Sequence, residues 1–187
     1  MMRKPLVVFV LLGAAACLSG PIEDGDRRRV LTIEQLRPYG VELPEDFAKY
    51  ERLERTKWLD GSTEVEYEFD AIDELGLPYL FSSAERHPSK SDACMSFSAG
   101  NLGLKIGGVE LTERNDLFSF GDKSRFGILV NEGEPVGNYF AMCHGKTAFI
   151  VIVGGVYFDD TESWSELVQP TLDALVAEPP ASPAAAP

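Results

Sequence analysis

Apolar and polar residues alternate strictly along 64–69. Val65, Tyr67 and Phe69 fall on one face, and Glu64, Glu66 and Glu68 on the other. A period of two marks a half-buried strand with one wet face, here an acidic one. The charged run Tyr50–Leu59 precedes it, with Asp60-Gly61 between. Asp-Gly suits a two-residue type I′ turn, so Tyr50–Leu59 and Ser62–Phe69 are predicted to form a hairpin. Glu51, Arg52, Glu54, Arg55 and Lys57 run across from the glutamates, and cross-strand ion pairs are favoured over a ligand site.

The same reading extends along the chain. Thr32 and Gln35 stand at capping-box spacing and predict a short helix that Pro38 stops. A second helical turn is expected at Glu45–Lys49. Strands are expected at Tyr79–Glu85, Leu117–Phe120, Phe126–Val130 and Val136–Cys143. The last turns at Gly145-Lys146 into Thr147–Val153. That strand is apolar on both faces, so it is predicted to be central and covered on both sides. Ser89–Leu104 reads as a helix capped by Ser89 or Ser91, with Ala93, Phe97 and Met95 toward the core. Its glycines, Gly100, Gly103, Gly107 and Gly108, weaken the second half.

The C-terminal segment changes period. Trp164, Leu167, Val168, Leu172, Leu175 and Val176 follow helical spacing after a cap at Asp160 or Thr161. Pro170 is expected to kink or restart this helix. Its polar face carries Glu162, Glu166 and Asp173 and no basic residue. A helix lying on a membrane surface wants cations there, so this is read as a core helix. The predicted fold class is α+β: an antiparallel meander sheet with packed helices, including an amphipathic C-terminal helix. A meander followed by the turn Tyr157-Phe158-Asp159-Asp160 and then a helix loosely resembles the Mog1/PsbP-type α/β/α sandwiches. Such likeness of fold implies no function.

The N-terminus carries an address. Arg3 and Lys4 precede an apolar run, Leu6–Leu12, and small residues Gly13–Ala16 lead to Cys17. This is the three-part build of a secretory signal over residues 1–16. The stretch Leu12-Gly13-Ala14-Ala15-Ala16-Cys17 resembles the lipobox of bacterial lipoproteins, although Ala14 stands where leucine is usual. The resemblance implies cleavage before Cys17 and diacylglycerol on its sulfur. Leu18 stands where inner-membrane retention signals carry aspartate, which implies the outer membrane over the inner. The rival is ordinary Ala-x-Ala cleavage at Ala14 and Ala16, without lipid. Residues 17–30 are expected to be the lipidated cysteine and a flexible tether. Within it Arg27-Arg28-Arg29 reads as a solvated basic patch. One domain is expected over 31–177, and a Pro/Ala tail without a core over 178–187.

Composition narrows the function. The chain has 187 residues and a formal net charge of −13 from 17 basic and 30 acidic residues. That excess argues against nucleic acid as partner, because such binding needs a clustered positive face. Three cysteines are present. With Cys17 lipidated, Cys94 and Cys143 remain as an even pair: a disulfide, or two small buried hydrophobes that never meet.

Candidate chemistry is sparse. His87 and His144 have no His or Cys partner at metal-ligand spacing, so no metal site is expected. Cys143 and His144 are adjacent in a strand and point to opposite faces. Cys94 with His144 is a weak nucleophile pair for a disulfide-permissive compartment. Gly100–Gly108 lacks the order of a phosphate-binding loop. Trp58, Tyr67, Tyr139 and Tyr157 are candidates for an aromatic binding face or for the core. No catalytic residue and no cofactor is assigned. The expected function is a non-catalytic accessory or interaction module of the cell envelope. Its partners are the lipid bilayer, through acylated Cys17, and an envelope protein. The alternatives are a soluble secreted or periplasmic small-ligand-binding protein and, last, a carboxylate hydrolase.

Overall fold

Eight strands form one antiparallel sheet in the computed structural model, which describes residues 17–71, 78–103 and 110–177. The strands are β1 (Cys17–Ser19), β2 (Glu51–Trp58), β3 (Thr63–Phe69), β4 (Tyr79–Arg86), β5 (Glu110–Glu113), β6 (Lys123–Asn131), β7 (Glu134–His144) and β8 (Thr147–Gly154). Their spatial order is β1-β2-β3-β4-β8-β7-β6-β5. The sheet is therefore two four-strand meanders joined where β4 pairs β8, rather than one continuous meander. β8 lies between β4 and β7, the place its two apolar faces require.

Helices cover both faces. Helix α1 (Lys90–Gly103) follows β4, and α2 (Thr161–Val176) follows β8. Trp164, Leu167, Val168, Leu172 and Leu175 of α2 are buried against Val65, Tyr67, Phe69, Phe140, Val151 and Val153 of the sheet. The Trp164 ring meets Phe126 at 4.9 Å and Phe158 at 5.7 Å between centroids. Truncating such a buried aromatic costs about 3–5 kcal/mol. Asp160 caps α2 by accepting the Ser163 amide at 2.8 Å. The helix runs through Pro170 without restarting, and Val176 is exposed. On the opposite face Ala93 and Phe97 of α1 pack near Ala148, Tyr139 and Ile152. Met95 lies outward, 60% exposed, contrary to its expected place in the core. Residues 104–109, where the glycine-rich stretch was expected to end the helix, lie outside the described residues, as do 1–16 and the tail 178–187.

The stretch expected to be a tether is structured over its described length. β1 pairs β2, and a 3-10 turn (Asp26–Arg29) follows. Asp26 is buried, accepting the Glu23 amide at 2.8 Å and lying 3.3 Å from Arg55. The arginine run is not simply solvated either: Arg27 bridges Glu34 and Glu51, and Arg29 is half-buried beside Asp26. Val30, Leu31 and Ile33 are fully buried, so the apolar core begins within the stretch expected to be a tether. The Leu31 amide donates to Ser82 and the Ile33 amide to Tyr67. The capping signal at Thr32 and Gln35 is real, with the Thr32 amide donating to Gln35 Oε1 at 2.8 Å. It opens a 3-10 helix, Ile33–Tyr39.

Two turns differ from expectation. The β2–β3 loop has Gly61 at φ +86° while Asp60 keeps a negative φ, and the Trp58 amide donates to Ser62. This is a three-residue loop, Leu59 to Gly61, with glycine at the left-handed position. The type I′ pattern, with positive φ at both central residues, occurs instead at Glu132-Gly133 between β6 and β7. The strand expected at Leu117–Phe120 is instead the end of a turn and a stretch without regular secondary structure, and Leu117, Phe118 and Phe120 pack on the core. The strand pairing β6 is Glu110–Glu113, which has no apolar alternation to announce it.

Candidate functional site

The densest chemistry lies on the acidic face of β3, beneath α1. Residues of β3 and β4 are in register there, so Glu64 faces Glu85 and Glu66 faces Ser83. Ser83 donates its hydroxyl to Glu64 at 2.9 Å. Ser96, on the inner side of α1, donates to Glu85 Oε2 at 2.5 Å, and His87 Nε2 lies 2.7 Å from the same oxygen. Glu85 thus sits between a hydroxyl and an imidazole. Ser96 donates to the carboxylate and not to the histidine, so a direct Ser–His hydrogen bond is not formed here.

The electrostatics divide the face in two. Arg52 meets Glu66 at 2.7 Å and Glu68 at 2.8 Å, the cross-strand ion pairing expected from the sequence. Glu64 is different. Burial, with the nearby Glu85 charge adding to it, pushes its carboxyl up to about 7. Glu64 is half-buried, so this strand position is not fully wet. His87 is raised above its ordinary value, first by its hydrogen bond to Glu85, with burial opposing. The cluster can hold and exchange a proton near neutrality. The alternating glutamates were visible in the sequence; which of them loses water was not.

The cysteines assigned from the sequence separate into two places. Cys94 of α1 and Cys143 of β7 are joined as a disulfide, with Cα atoms 5.3 Å apart. The bridge ties α1 to the sheet. It also removes the Cys94–His144 pair as a nucleophile, since Cys94 carries no free thiol. His144 is exposed and lies 3.8 Å from Asp122. Cys17 lies apart, in β1, with its backbone in register with Trp58.

The candidate aromatics do not form one face. Tyr67 and Tyr139 are buried, Trp58 is half-buried, and Tyr157 is 45% exposed. The Tyr67 hydroxyl donates to Glu51 at 2.6 Å and accepts the Ile33 amide. Tyr67 is thus a core residue with a structural hydrogen bond. Beside the disulfide lies an open hollow lined by Lys90, Ser91, Cys94, Met95, Ser98 and Lys123. Among the described residues no group of His, Cys, Asp or Glu is arranged to hold a metal ion, and no helix is long and apolar enough to cross a membrane. No family model, no curated protein and no solved structure matches this chain.

Proposed function

We propose that the chain is a lipid-anchored protein of the bacterial cell envelope, held through acylated Cys17 and facing the periplasm or the cell surface. Its domain acts as a non-catalytic accessory or interaction module for an envelope protein partner. The observation that carries this reading is the division of the three cysteines. Cys94 and Cys143 are joined to each other, which leaves Cys17 as the unpaired one, at the end of the signal-like segment. A disulfide fits a compartment where such bonds persist. Two acyl chains or more give stable anchoring, at about 0.8 kcal/mol for each buried CH₂. Leu18 at the following position favours the outer membrane. Within the domain, α2 serves as an amphipathic core helix, its acidic face outward.

The test is the intact mass of the protein isolated from native bacterial membranes without reductant. The expected species begins at Cys17, carries added acyl mass and is two hydrogens lighter for the disulfide. A species beginning at or near Cys17 without acyl mass overturns the anchor. It moves the chain to the soluble, secreted small-ligand-binding reading.

A further inference from the structure

The end of the sheet that holds Cys17 differs in charge from the rest of the molecule. Cys17 at the start of β1 is in register with Trp58 at the end of β2. Following the ladder across, Thr63 pairs Arg86, Arg86 pairs Thr147, Thr147 pairs His144, and Lys123 pairs Cys143. These positions form one edge of the sheet, with the β2–β3 and β7–β8 turns and the start of α1 projecting from it. The exposed charges gathered there are Lys57, Arg86, Lys90, Lys123 and Lys146, against Asp60 and Asp122. Cations dominate this end in a chain whose acids outnumber its bases 30 to 17. Asp122 is itself engaged by Lys90 at 2.8 Å, and Asp60 accepts from the Ser62 amide and hydroxyl.

The same end carries exposed apolar side chains. Leu59 at the hairpin tip is 77% exposed and Leu18 is 66% exposed, with half-buried Trp58 between them in the ladder. A large aliphatic side chain at the tip of a turn, a tryptophan beside it and lysines around it match a membrane–water interface. The ring sits at headgroup level there and the ammonium groups meet phosphates. The short structured path from Cys17 to the domain leaves little freedom for the sheet to turn away from an anchor at that residue.

We infer that the Trp58 end of the sheet is a membrane-contact surface, which lays the domain on a bilayer carrying anionic phospholipid headgroups. Leu59 and Trp58 enter the headgroup region, and Lys57, Arg86, Lys123 and Lys146 meet lipid phosphates. The opposite end, with Glu110, Glu132 and Glu134, is thereby presented away from the membrane. This rests on the proposed anchor at Cys17, which brings that end to the leaflet.

The experiment uses the mature protein from native membranes, its acylation state read by mass, in vesicles of phosphatidylcholine with or without phosphatidylglycerol. Quenching of tryptophan emission by brominated lipid reports contact. Trp164 is fully buried and supplies a constant background, which Trp58→Phe isolates. Trp58 is expected to be quenched in vesicles containing phosphatidylglycerol. Leu59→Ser should lose most of that quenching. Reversing Lys57, Lys123 and Lys146 to glutamate should weaken the anionic preference about 100-fold or more. Both variants should keep their acyl mass, vesicle retention and far-ultraviolet circular dichroism. Acylated, retained protein whose Trp58 is unquenched overturns the surface and leaves the anchor standing. Protein without acyl mass overturns the anchor. Its binding to phosphatidylglycerol vesicles then decides the surface alone: binding lost on lysine reversal supports it, and no binding overturns it.

Discussion

The side chain of Asn138 grips the backbone of Phe158 at both its polar atoms. Asn138 Nδ2 donates to the Phe158 carbonyl at 2.9 Å, and Asn138 Oδ1 accepts the Phe158 amide at 2.7 Å. Both residues are buried. This clasp satisfies the backbone of the segment leaving β8 and places the Phe158 ring against Tyr39 and Trp164. It thereby positions α2 on the sheet from a strand twenty residues earlier.

Asn138→Ala should strand both polar groups of Phe158, at about 1–3 kcal/mol each. Urea denaturation measures the loss. A change below about 1 kcal/mol would mean that water or a neighbouring group replaces the clasp without cost.

Gly137, next to Asn138, is required for a different reason. A Cβ there would collide with the Val153 carbonyl oxygen across the β7–β8 ladder. Gly137→Ala should destabilise by about 3 kcal/mol or more, since the obstacle is backbone and cannot rotate aside. Gly133→Ala is a useful comparison. That residue has open space around it but a φ of +86°, so its penalty is conformational and should be nearer 1 kcal/mol. Equal losses at the two sites would contradict the steric account.

The Glu64 cluster makes stability fall as pH rises. The Glu64 carboxyl stands near 7 against an ordinary 4.5, so the folded chain holds its proton more tightly than the unfolded one. That contribution is whole below about pH 4.5 and is lost as pH rises through about 7. His87, raised from 6.5 by its bond to Glu85, acts in the same direction: its contribution is whole below its unfolded value and is lost above its folded one. The urea midpoint should therefore drop between pH 5 and pH 8. Glu64→Gln should flatten this slope and raise the midpoint at pH 8. Glu66 is raised by burial in the same direction, so a flat wild-type profile would exclude the account.

Reducing the Cys94–Cys143 bridge opens a loop with a sequence separation of 49. Chain entropy puts its contribution at about 4 kcal/mol. For a domain of this size the melting temperature should fall by about 8–16 °C. Thermal melts with and without reductant, and of Cys94→Ala/Cys143→Ala, check this. A fall of only a degree or two would show that α1 holds to the sheet by packing alone.

Asp26→Ala should act locally. It removes the carboxylate beside half-buried Arg29 and one of the two that meet Arg55, which keeps Glu23 at 2.6 Å. The Gly20 amide, which donates to the Arg55 carbonyl at 2.9 Å, should exchange its hydrogen faster. Amides of β8 should keep their protection. Uniform loss of protection across the sheet would show that Asp26 supports the whole fold instead.

Periodicity along the chain determined the strand pair around Gly61, the central place of β8 and the buried stripe from Trp164 to Leu175, while cysteine counting left a Cys94–Cys143 bridge open beside two separate buried residues. These follow from local rules: alternation, apolar content on both faces, and helical spacing. It could not show that residues 18–30 pack on the domain, because their order comes from a short edge pairing, from buried Asp26 and Val30 and from ion pairs to distant residues, none of which repeats. Nor could it choose among alternating glutamates. Arg52 reaches diagonally to Glu66, whereas Glu64 has Glu85 opposite, a difference set by strand register. The junction of two meanders at β4 and β8, the clasp of Asn138 on Phe158 and the gathering of lysines at the Cys17 end were decided only in three dimensions. Each joins residues far apart in the chain, and such contacts leave no local period to read.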